Sequence, residues 1–197
     1  MSIVIPSIRG YKPFFISTAN PQWATDHYEY AAYPSDDGFK MVAQSQPFPL
    51  EYKVKEPYKN EWPDKDGDEE FDPRTSNETY HLEAFEITVK FFVKAVDERQ
   101  AGDEENPSPA HEMTAAIRLF LNALSQHKIA IYDSWQGLGF SDVRFVSGSV
   151  EKRRINEVRL GEGYAWAIVS VTFKVNDPRA ILTSCVYDED YEYYILS

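Results

Sequence analysis

Cysteine is all but missing: Cys185 is the single thiol in 197 residues. No internal disulfide and no cysteine-based zinc site can form, which excludes a disulfide-stapled secreted scaffold and a zinc finger. Long apolar runs are missing too, since no stretch approaches the roughly 20 apolar residues that a membrane-spanning helix requires. No charged-then-apolar leader opens the sequence, so the expected home is a reducing, aqueous compartment. Histidine is scarce, with four scattered copies, and basic residues are outnumbered 20 to 32 by acidic ones. What remains, with 43% apolar side chains, is a chain long enough to bury a sizeable core.

The acidity is concentrated. Residues 56 to 72, 97 to 112 and 186 to 197 hold 18 of the acids and three of the bases, which leaves the rest of the chain at a net charge of +3. A near-neutral body with acidic loops and an acidic tail argues against a protein that grips nucleic acid through a broad basic face.

Three regions follow from the pattern. Residues 1 to 80 hold most of the prolines, interspersed with aromatic residues such as Phe14, Phe15, Trp23, Tyr33 and Phe48. Rings at that density need something to pack against, so this region reads as an extended arm with loops that lies on a core or on a neighbouring subunit. Residues 81 to 180 read as an α+β core. Phe85, Ile87, Val89, Phe91, Val93 and Ala95 alternate with polar residues, as in a half-buried strand. Ser108 and Pro109 suit a helix start, and Met113, Ile117, Phe120, Leu121 and Leu124 form an apolar stripe at helical spacing that ends near His127. A short strand over Ile129 to Tyr132, a glycine turn at Gly137 and Gly139, and a strand over Val143 to Val150 come next. A charged, hairpin-like connection is expected from Lys152 to Gly163, then a strand over Tyr164 to Val175 that Pro178 stops. The predicted fold is a largely antiparallel sheet with one main amphipathic helix packed on it. Residues 181 to 197 form an acidic-aromatic tail.

Chemistry-bearing motifs fail on their second requirement. His111-Glu112 opens like a zinc-protease helix, but Ala115 stands where the second histidine is needed. Asp64, Asp66 and Asp68 alternate like a calcium loop, but Glu69 and Thr75 replace its glycine and its closing glutamate. His81-Leu-Glu83 resembles half of a deaminase site that lacks its cysteine pair. The glycine pairs Gly137/Gly139 and Gly161/Gly163 lack the third glycine of a phosphate cradle. The expectation is a protein without catalytic residues, metal or cofactor.

Two features survive as candidate interface. Lys152, Arg153 and Arg154, with Arg159 nearby, form the strongest basic cluster. They read either as a solvated edge kept soluble by charge or as a contact to a phosphate backbone or an acidic neighbour. The tail places Tyr187, Tyr191, Tyr193, Tyr194, Ile195 and Leu196 among acids, and rings of that number are expected to bury against another subunit.

Residues 80 to 178 resemble, in the order of their elements, the tail terminator or neck proteins of tailed bacteriophages. The likeness lies in the strand Phe85 to Val96, the acidic loop, the helix Pro109 to His127, the turn Trp135-Gln-Gly-Leu-Gly139, and the Arg153-Arg154 strand leading to Trp166-Ala-Ile-Val-Ser-Val-Thr-Phe173. The proline- and aromatic-rich first 80 residues depart from the compact members of that family. The resemblance implies a structural virion subunit at the tail neck, assembled in the host cytoplasm. It would form a ring homo-oligomer, a hexamer in the family, that ends the tail tube and joins it to the head. Its implied neighbours are the tail tube and connector proteins, with DNA passing through the lumen without specific binding and no membrane involved. The alternatives from other classes are a soluble acidic adaptor or inhibitor and a small hydrolase.

Overall fold

The computed structural model describes residues 12–18, 30–44, 48, 52–55, 59–60, 69–70, 81–97, 99, 107–126, 129–156, 161–189 and 193–197. In chain order these form β1 (Phe14–Thr18), β2 (Tyr30–Pro34), a one-turn helix α1 (Ser35–Gly38), β3 (Val42–Gln44), β4 (Lys59–Asn60), β5 (Glu69–Glu70), β6 (Phe85–Val96), α2 (Pro109–Gln126), β7 (Ile129–Asp133), β8 (Leu138–Asn156), β9 (Tyr164–Val175), β10 (Ile181–Leu182), β11 (Cys185–Asp188) and β12 (Tyr193–Leu196).

The alternating strands pair with each other. β6 and β9 run antiparallel through twelve consecutive partners, from Phe85↔Val175 to Val96↔Tyr164, so their apolar residues share one face. There Ile87, Val89, Phe91, Val93, Ala95, Ala165, Ala167, Val169, Val171 and Phe173 are all buried. Helix α2 covers that face. Its start follows from Ser108, whose hydroxyl accepts from the His111 amide at 3.4 Å and whose carbonyl accepts from Glu112 at 3.0 Å. The stripe Met113, Ile117, Phe120 and Leu124 is buried in the same cluster as the strand faces, with Leu121 packed against it, as its spacing predicts. Phe120 stacks edge-on against Phe91 at 4.9 Å.

The whole sheet follows the order β11-β12-β2-β1-β7-β8-β9-β6-β3, with β10 taking up the line of β9 along β8. All strand pairs among the described residues are antiparallel, and the fold is α+β as the sequence predicts. The sheet is strongly curled. β1 and β6 stand four places apart in it, about 19 Å if it were flat, yet the rings of Phe14 and Phe91 meet at 5.7 Å. Two breaks in register along β8, between Phe145 and Ser147 and between Val150 and Lys152, are bulges of the kind that bend and twist a strand.

Three features differ from the sequence reading or narrow it. First, β8 does not end at Val150: it continues through Lys152, Arg153 and Arg154 to Asn156, each paired with β9. The backbone ladder persists where the side chains stop alternating, and hydropathy records only the side chains. Second, of the two placements open to the arm, on a core or on a neighbouring subunit, β1 takes the core: it pairs with β7 over five residues and buries Phe14, Phe15 and Ile16. Third, the tail folds back on its own chain. β12 pairs with β2 and Leu196 joins Phe15, Ala130, Tyr132 and Leu182 in a second apolar cluster. One core was expected; because successive residues of β1 and β7 point to opposite faces, Phe14, Ile16, Ile129 and Ile131 serve the main core while Phe15, Ala130 and Tyr132 create the second.

Candidate interaction surface

The predicted basic cluster lies on the far half of β8. Register assigns the side chains: Arg153 stands opposite Ala167, on the helix-bearing face, whereas Lys152 and Arg154 stand opposite Ile168 and Trp166 on the other face. The three cations therefore surround the edge of the strand from both sides and do not form one flat patch. All three are exposed. Arg159 and Tyr191 lie outside the described residues.

That edge is open. β7 pairs with β8 only as far as Ile129↔Val143, and among the described residues no strand pairs on that side of β8 from Arg144 to Asn156. The same stretch exposes Val146, Val150 and Ile155, at 42%, 44% and 47%. Gly148 marks where the helix still reaches the strand, since a Cβ there would stand 2.5 Å from Leu121 Cδ2. Past it, Val150 and Ile155 share the face of the buried Val169 and Ala165 without being buried themselves.

On the face away from the helix, Phe92 and Trp166 pack at 6.1 Å and the Lys94 ammonium stands 6.0 Å from the centre of the Tyr164 ring. Lys90 donates to Glu151 at 2.9 Å, and that bond holds the Glu151 carboxyl below its usual range. The bulge after Val150 is thus tied across β9 to β6. At the far end of the hairpin, Arg99 grips the buried Asp97 through Nε and Nη2, each at 2.8 Å. The Asp97 amide donates to the Gly163 carbonyl at 2.8 Å. These side-chain hydrogen bonds from Arg99 hold Asp97 far below the ordinary carboxylate range, so it stays ionised and latches the segment after β6 to the turn before β9.

The tail residues divide. Tyr194 packs on Phe15 at 4.6 Å and on Tyr187 at 5.0 Å, Leu196 is buried, and Ile195 is half-buried. Tyr193 lies in β12 opposite Asp188. The rings of Tyr194 and Tyr187 find partners within the chain, and among the described residues β11 is the outermost strand at its end of the sheet, with Val186 61% and Tyr187 47% exposed. Cys185 beside them is half-buried, and burial pushes its thiol up to about 11, which keeps it protonated and unreactive at neutral pH.

Sequence reasoning missed Val146, Val150 and Ile155, although isolated β-branched residues beside a run of cations are the available signal. It also missed the exposure of Trp135. That indole, 60% exposed, sits on a rigid turn: Asp133 accepts from the Trp135 amide at 2.9 Å and from the Gln136 side chain at 2.6 Å, and Gly137 takes the positive φ of 65° that closes it. Among the described residues, no three His, Cys, Asp or Glu side chains cluster so as to hold a metal ion, and no helix is long and apolar enough to cross a membrane. No family model matches the chain, and neither a curated protein nor a solved structure does, so any functional reading rests on the geometry and on the order of the elements.

Proposed function

We propose that the protein is a structural virion subunit of the tail-terminator or neck type, which assembles into a ring at the junction of tail and head. The observation that carries this reading is the long β8–β9 hairpin whose outer edge, among the described residues, lies open from Arg144 to Asn156. An unpaired edge of that length exposes a row of amides and carbonyls that a partner's strand can satisfy. The order of long strand, helix, short strand and long hairpin supports the same family. Under this reading the chain carries out no reaction. Its neighbours are further copies of itself, tail tube and connector proteins, and DNA that slides past acidic loops without being held. Trp135, presented rigidly to solvent, suits a contact with an adjoining virion protein.

Native mass spectrometry with electron-microscopy class averages of the purified protein tests the proposal. A ring with a central hole is expected. A protein that stays monomeric at high concentration would overturn the ring and favour the soluble acidic adaptor.

A further inference from the structure

Among the described residues the sheet ends at β3 and at β11, and the β11 edge differs in charge from the open edge of β8. Among the described residues β11 is the last strand at its end of the sheet; it exposes Val186 and Tyr187 and ends on Asp188, followed by the exposed Glu189, and the sequence carries Asp190 and Glu192 next, with no base from Val186 to Ser197. The far edge of β8 carries Lys152, Arg153 and Arg154, and of the two acids that flank them in the sequence, Glu151 and Glu157, Glu151 is already bonded to Lys90. Each edge therefore holds an excess of one sign beside exposed β-branched or aromatic side chains.

We infer that the two edges are partners: β11 of one copy adds as a strand to the open edge of β8 in the next copy. This rests on the ring reading and specifies its contact. Neither edge suits itself. Two β8 edges brought together about Arg153 would set Lys152, Arg153 and Arg154 against their own kind, an arrangement that like-charge repulsion disfavours across strands, and two β11 edges would bring together segments that carry acids and no base. The unlike pair has complementary charge, and strand addition supplies main-chain hydrogen bonds along with it. Side chains match on both faces of the new pair, because the cations of β8 already divide between its faces and Val186 and Tyr187, as successive residues, divide likewise. Val150 and Ile155 gain an apolar neighbour on the helix-bearing side. Joining two different patches makes the contact head-to-tail, and head-to-tail contacts generate closed rings or open helical filaments where self-matching ones generate dimers. A four-residue strand buries little area alone, so closure of the ring, which engages the β8 and β11 edges of every copy, holds the assembly together.

Charge reversal on each edge, followed by recombination, tests this on the full chain. Lys152→Glu/Arg153→Glu/Arg154→Glu makes both edges acidic, and Asp188→Lys/Glu189→Lys/Asp190→Lys makes both basic. Each triple variant should raise the concentration at half-assembly by about a hundredfold, and the wild-type assembly should weaken with added salt. The six-fold variant carries both reversals and should assemble near the wild-type concentration. Circular dichroism reports folding, and if a triple variant misfolds, Arg153→Glu with Glu189→Lys repeats the cycle at one position per edge. Rescue by the combined reversal supports the inference. A wild-type ring that survives either reversal unchanged, or reversals whose defects add instead of cancelling, would overturn this contact and leave the ring reading standing. A wild-type monomer would overturn both.

Discussion

The two halves of β8 belong to one strand and live in different surroundings. From Leu138 to Val143 the strand is flanked by β7 on one side and by β10 and the end of β9 on the other, and Gly139, Phe140 and Val143 are buried. From Arg144 to Asn156, among the described residues, it has β9 alone, and its side chains are mostly exposed. The first half is built for the stability of the chain. The second contributes less to the core and exposes Val146, Val150 and Ile155, which suits the assembly edge proposed for it.

The contrast can be broken most sharply in the first half. Phe140→Ala removes a ring that meets Phe48 at 5.8 Å and Phe85 at 5.5 Å, and denaturant unfolding should show a loss of about 3 to 5 kcal/mol. Phe120→Ala, beneath the helix, belongs to the same class. Deleting Tyr193–Ser197 should lower the melting temperature markedly, because it strips β12 from β2 and uncovers Phe15, Tyr132 and Leu182; a melting temperature that stayed put would mean that the second cluster contributes nothing. Gly139→Ala should cost about 1 to 3 kcal/mol, since its Cβ would collide with the Ile131 carbonyl oxygen on the neighbouring strand.

Acid titration probes the far end of the hairpin. Asp97 has a depressed folded pKa, so its contribution is present above the ordinary carboxylate pKa of about 4 and is lost as pH falls from there toward the folded value. The melting temperature of the wild type should therefore drop below about pH 4, while Asp97→Asn should melt lower at neutral pH and show a shallower acid slope. The smallest effect belongs to the second half of β8. Val150→Ser and Ile155→Ser should move unfolding by no more than about 0.5 kcal/mol, as exposed substitutions do, and yet weaken assembly.

How much of this was legible in the sequence depends on how each strand is buried. β6 and β9 are buried on one face and solvated on the other, so Phe85 to Val96 and Tyr164 to Val175 alternate plainly and could be read directly, as could α2 from its stripe. β7 is buried on both faces and short, so Ile129 to Tyr132 is only an apolar run, which identifies a strand without saying that it lies in the middle of a sheet. β1 hides among prolines, and no local signal says that Phe14 and Phe15 belong to opposite sides of the sheet. The far half of β8 is exposed on both faces, so its pattern is that of a loop although its backbone pairs with β9. For the candidate surface, the cations and the tail were visible as residue types. Their division between two faces, and the inward packing of Tyr194 and Leu196, follow from register alone.

The account turns on whether the open half of β8 is an assembly edge, and the most direct measurement is the mass of the purified chain under native conditions together with that of Lys152→Glu/Arg153→Glu/Arg154→Glu at the same concentration. The account predicts a closed oligomer for the first and a folded monomer for the second. Equal masses for the two, whether both rings or both monomers, would contradict it.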